Sequence, residues 1–124
     1  QVITVGGYQA SNTSIYADSG RGYTTTGEIK PDFVAPAVDV YGPGLRNNFI
    51  TFTGTSAAAA ITAGACAQIM QWAIVDQNNT IMSHTSIKNM LIRGTAKPEN
   101  RTYPNREWGY GTLDVYGAFQ NLRL

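Results

Sequence analysis

The chain has 124 residues, 43% of them hydrophobic and 14% charged, and a formal net charge of +1. That is one domain's worth of sequence at most, apolar enough for a core and too weakly charged for a disordered segment. The nine Lys and Arg residues stand singly, which points to no nucleic-acid or membrane-surface partner, and the lone Cys66 excludes an internal disulfide.

Gln1 runs straight into Val2-Ile3-Thr4-Val5 with no basic region or signal-peptide core before it, so the chain is expected to start inside a strand, as a cut or processed piece would. The β-branched run Val2 to Val5 predicts a buried strand closed by Gly6-Gly7. Residues 8–31, rich in Ser, Thr, Gly and Tyr, read as surface connection. Asp32-Phe33-Val34-Ala35 predicts a second strand stopped by Pro36, and Val38 to Tyr41 a third ended by Gly42-Pro43-Gly44. Phe49 to Thr53 alternates and is rich in strand formers.

The pattern then changes. Gly54-Thr55-Ser56 opens an uncharged run from Ala57 to Val75, and a helix apolar on every side belongs in the middle of a domain. Its Thr and Gln interruptions keep it short of the roughly 18 unbroken apolar residues expected of a membrane span. A second helix is predicted from about Ser83 to Arg93, capped by Ser83 or Thr85, with Gly94 as its stop. A last one is predicted near Asp114–Leu122. Strands and helices in this order give the α/β class with a parallel sheet.

Ser56 is the residue with mechanistic content. A serine in the first turn of such a helix is accessible, its N–H is one of the unpaired donors there, and the helix dipole is positive at that end. An acyl-transfer nucleophile needs those things. Gly54 removes a side chain where a substrate backbone would pass. Taken on spacing alone, Ser56 or Thr55 serves equally well as a plain N-cap.

Gly54-Thr55-Ser56-Ala57-Ala58-Ala59-Ala60 followed by Thr62-Ala63-Gly64 resembles the Gly-Thr-Ser-x-Ala-x-Pro…Ala-Gly signature of the subtilisin-like serine proteases. Four further stretches agree in order: Val2 to Gly6, Lys30 to Pro36, Ile87 to Leu91 with Thr95-Ala96, and Gly109 to Val115. The resemblance implies that 1–124 is the C-terminal part of a subtilisin-like peptidase domain, with Ser56 as nucleophile. It implies an oxyanion donor in the Ser56 N–H, a supporting hydroxyl at Thr55, and substrate borders at Thr53 and Gly54. Ala60 departs from the family's proline, and the Ala-rich run is similar to that of clostridial subtilases.

The family's Asp, His and oxyanion Asn all precede the strand at Val2, so the resemblance implies that they lie upstream and that this chain alone is inactive. His84, the only histidine, is read as exposed near the start of the second helix, Cys66 as a small core residue, and Trp72 and Trp108 as packing. No metal site is expected from ligand spacing; structural calcium, common in the family, cannot be matched to residues here. The implied partners are a polypeptide substrate and the upstream half of the protease, with self-association through an uncovered sheet edge as a further expectation. The implied setting is extracellular or spore-associated and bacterial. Two other readings stand beside it. One is a Ser56, Asp76, His84 triad of the α/β-hydrolase kind; the other is a pseudoprotease or structural piece that binds a partner.

Overall fold

A computed structural model describes residues 2–122. Strand β1 (Val5–Gln9) lies at the centre of a three-stranded sheet. It pairs in parallel with β3 (Phe33–Pro36), Val5 opposite Phe33, and its far end pairs antiparallel with β2 (Ser14–Ile15). A second, two-stranded sheet is the antiparallel hairpin of β4 (Val40–Pro43) and β5 (Phe49–Phe52). Helix α1 (Thr55–Met70) follows at once and runs on through a π-helical turn, Gln71–Val75. Helices α2 (His84–Gly94) and α3 (Val115–Gln120) complete the fold.

The glycine pair was expected to close the first strand; instead Gly6 and Gly7 lie inside β1. A Cβ on Gly7 would overlap that of Ala37, and one on Gly6 would crowd Ser19, Pro31 and Val34. The glycines therefore permit close packing of the strand and do not end it. The predicted second and third strands are shifted by one or two residues, and Pro36 and Pro43 are strand ends.

The core forms where β3 meets the helices. Phe33 points into a cluster with Ala65 and Ile69 of α1, Ile87, Met90 and Leu91 of α2, and Ala118 of α3. Ala35, two residues on and so on the same face of β3, packs with Ala37 and Ala58. Full burial of a side chain such as Phe33 contributes about 1.5–3 kcal/mol. Ser83 caps α2 as expected, accepting the Ser86 N–H, and Asp114 caps α3, accepting the Gly117 N–H at 2.9 Å. Gly94 does more than stop α2, because a Cβ there would overlap the Ala118 backbone. It allows α2 and α3 to cross in near contact.

Helix α1 departs from the expectation of burial all round. Its buried residues are Ala58, Thr62, Ala65 and Ile69, with Ala73 in the π turn, which together form one stripe. The opposite face, including Ala59, Ala63, Met70 and Ile74, is exposed. The continuous helix Thr55–Val75 is also long and apolar enough to cross a membrane by length and composition, with mean hydropathy 1.4 over an 18-residue window. Its polar interruptions are Thr, Gly and Gln, which lower that mean far less than charges would.

Asp32 ties the sheet to α2. Its carboxylate is nearly fully buried and accepts the Thr4 N–H at 2.8 Å. It also pairs with Lys30 at 3.0 Å and with Lys88 of α2 at 3.5 Å. The local pairing with Lys30 is thus one part of a wider hub. Asp32→Ala would leave two partly buried lysines without their counter-charge, and should lower unfolding free energy by roughly 3–5 kcal/mol. Urea denaturation of the folded chain measures this, and a loss well under about 1 kcal/mol would remove Asp32 from that role.

Candidate active site

The site is built at the junction of hairpin and helix. β5 leads into Thr53 and Gly54, and the Gly54 N–H donates to the Ala37 carbonyl at 2.7 Å. Gly54 has φ 144° and ψ 160°, a conformation that L side chains rarely adopt, and α1 starts at the next residue. Glycine is therefore required by the backbone itself, beyond the open path for substrate read from the sequence.

Thr55 and Ser56 are the first two helical residues, so their N–H groups have no carbonyl four residues back within α1. The third, Ala57, donates to the Gly54 carbonyl at 3.0 Å. Ser56 is exposed and lines an open, mostly apolar cavity of about 470 Å³. Its walls are Val40, Pro43 and Phe52 of the hairpin and Ala57, Ala60 and Ile61 of α1. Ala60 is the sixth helical residue, so its N–H falls in register with the Ser56 carbonyl. A proline there would forgo that donor.

Of the other residues picked from the sequence, Thr53 shares the Ser56 cavity, and its hydroxyl oxygen accepts the Asp39 N–H at 3.0 Å. Thr55 does not share it. It lines a separate cavity with Thr4, Val5, Gly6 and Lys30, on the side of β1. His84 is exposed at the start of α2, and neither it nor Asp76 lines the Ser56 cavity. Asp76 follows the far end of the helix, some 20 residues along and so roughly 30 Å from Ser56. The Ser56, Asp76, His84 triad is excluded on that distance.

Cys66 is half-buried against the main core cluster, and burial raises its thiol pKa, which suits an unreactive packing residue. Trp108 is buried, with the Arg101 guanidinium 4.5 Å over its ring, and Trp72 meets Phe119 edge-on at 5.8 Å. Both tryptophans pack as expected. Among the described residues, no three His, Cys, Asp or Glu side chains are grouped to hold a metal ion. Sequence reasoning missed Ala37 and Asp39, which anchor the junction. The only signal was the small residue after Pro36.

A parallel β1–β3 pair, a short hairpin and a long apolar helix opened by Gly-Thr-Ser make an α/β fold with a serine at the helix mouth. The family model of the subtilases, peptidase S8, matches residues 1–111, and the chain belongs to that family. Serine protease AprX of Bacillus subtilis is 32% identical, over 95% of this chain and 28% of that protein. Membrane-bound transcription factor site-1 protease of Mus musculus is 31% identical, over 98% of this chain and 12% of that one. The structure of the Clostridium perfringens CspB protease superposes with a TM-score of 0.93 at 35% identity, covering 98% of this chain and 26% of that one. This bears out the likeness to clostridial subtilases. The S218A mutant of the PatA protease domain, 21% identical with a TM-score of 0.74, shares the fold. The chain thus spans about a quarter of AprX and of CspB.

Gly54→Ala would force a side chain into a left-handed backbone that only the Ala37 bond and the helix start hold in place. It should destabilise the domain by about 1–3 kcal/mol. A thermal melt of wild type and variant tests this, and equal melting temperatures would show that the turn adapts freely.

Proposed function

We propose that this chain is the nucleophile-bearing C-terminal part of a subtilisin-like serine endopeptidase domain. The observation that carries the reading is the position of Ser56, exposed at the mouth of α1 on the rim of an apolar cavity, with its N–H free of the helix ladder. In the reaction the Ser56 hydroxyl oxygen bonds to the scissile carbonyl carbon and its proton passes to a base. The Ser56 N–H donates to the oxyanion, the carbon–nitrogen bond breaks as the leaving amine takes the proton, and water then releases the acyl group. Thr53 and Gly54 border the substrate, and Thr55, facing β1, supports the turn from the other side. The chemistry needs no cofactor.

The base and its orienting carboxylate are supplied in this reading by an upstream segment of the same protease, because His84 does not line the site. That segment covers the open cavity beside Ser56 and the exposed face of α1. A polypeptide substrate follows from the family. An extracellular or spore-associated bacterial setting is part of the same proposal; two of the similar proteins, AprX and CspB, are bacterial.

A fluorophosphonate probe separates the steps. The isolated chain should not be labelled, whereas the full-length protein should be modified on Ser56. There, Ser56→Ala should abolish labelling and lower peptide turnover by on the order of 10⁴–10⁶. A full-length protein that folds but never labels would be a pseudoprotease. Specific labelling of the isolated chain would mean that it carries its own base.

The uncovered face of α1 has a second consequence. The isolated chain should self-associate, and light scattering at high concentration should show dimers or larger species. A monomer would mean that the face is tolerated in water.

A further inference from the structure

One charged residue at the base of the hairpin that walls the Ser56 cavity, itself outside the cavity lining, has no part in this reading. Asp39 sits at the open end of the hairpin, next to the Val40–Phe52 pair, with φ 51°. Its N–H is held by the Thr53 hydroxyl at 3.0 Å, so it faces the residue that leads into Gly54. Both of its neighbours in this arrangement, Val40 and Thr53, line the Ser56 cavity, whose walls carry no charge. The Asp39 side chain is exposed, and among the described residues no hydrogen bond or ion pair engages its carboxylate.

The backbone accounts for only part of this. A left-handed residue favours Gly, Asn or Asp, and any of the three would serve the turn. The negative charge is what the turn does not require. We propose that Asp39 is a specificity-determining residue of the same site. Its carboxylate selects a Lys or Arg side chain on the stretch of substrate that passes Thr53 and Gly54. This rests on Ser56 being the nucleophile. Because the carboxylate is exposed, its attraction for a mobile cation is modest and screened by salt, so the preference is about two- to fivefold.

The test uses the full-length protease and peptides that carry Lys or Gln, in turn, at each position flanking the cleaved bond. At one position kcat/KM should favour Lys about two- to fivefold at low salt, with the preference fading at high salt. Asp39→Asn, which keeps the left-handed turn, should bring the Lys and Gln peptides level. A Lys/Gln ratio that the variant leaves unchanged would overturn the proposal. If kcat/KM fell equally for both peptides, Asp39 would only hold the hairpin. Failure of the Ser56 reading would show separately, as absence of fluorophosphonate labelling whichever residue stands at 39.

Discussion

The hydrogen bond from the Gly54 N–H to the Ala37 carbonyl closes the hairpin onto the sheet, and the geometry of the site depends on it. The chain leaves β3 at Ala37, runs out and back through β4 and β5, and returns to the same point. Ala37 is itself fixed, because its N–H donates to the Tyr8 carbonyl at 2.9 Å and its methyl sits against Gly7. A bare strand position seats Ala37, Ala37 anchors Gly54, and Gly54 sets the direction in which α1 departs. Ser56 inherits its position from that sequence of contacts, so residues far from it in sequence decide where its hydroxyl lies.

The second organising fact is the one-sided burial of α1. A stripe of small residues and Ile69 meets β1 and β3, while the opposite face carries exposed alanines, Met70 and Ile74. Small residues on both faces admit close neighbours on both sides. The exposed face of α1 is thus shaped to accept a close neighbour.

Much of this was legible in the residues. The β-branched and aromatic runs marked β3, β4 and β5 to within a residue or two, the charge-free stretch marked α1, and Ser83 announced α2 as its cap. The first strand, expected over Val2 to Val5, begins only at Val5, and β2 fell in a stretch read as surface connection. The glycine pair in β1 was misread, because glycine ends strands by propensity and only the neighbouring strand reveals that Gly7 must be bare for Ala37. The hub at Asp32 was invisible for a similar reason: Lys88 is distant in sequence and reaches it only once α2 has docked. At the site, Ser56 could be picked out because its surroundings are local. Ala37 and Asp39 anchor the junction through their backbone carbonyl and N–H, the latter donating to the Thr53 hydroxyl, and their own side-chain identity does not signal this.

Thr55 and Ser56 are adjacent hydroxyls that open onto different cavities, one on the β1 side and one on the hairpin side. Successive residues on a helix are turned by about 100° around its axis. The pair is therefore not redundant: moving a hydroxyl by one position redirects it to another wall of the molecule. What singles out Ser56 is its angular position on the helix, and evolutionary drift could not conserve the site by exchanging one hydroxyl for its neighbour.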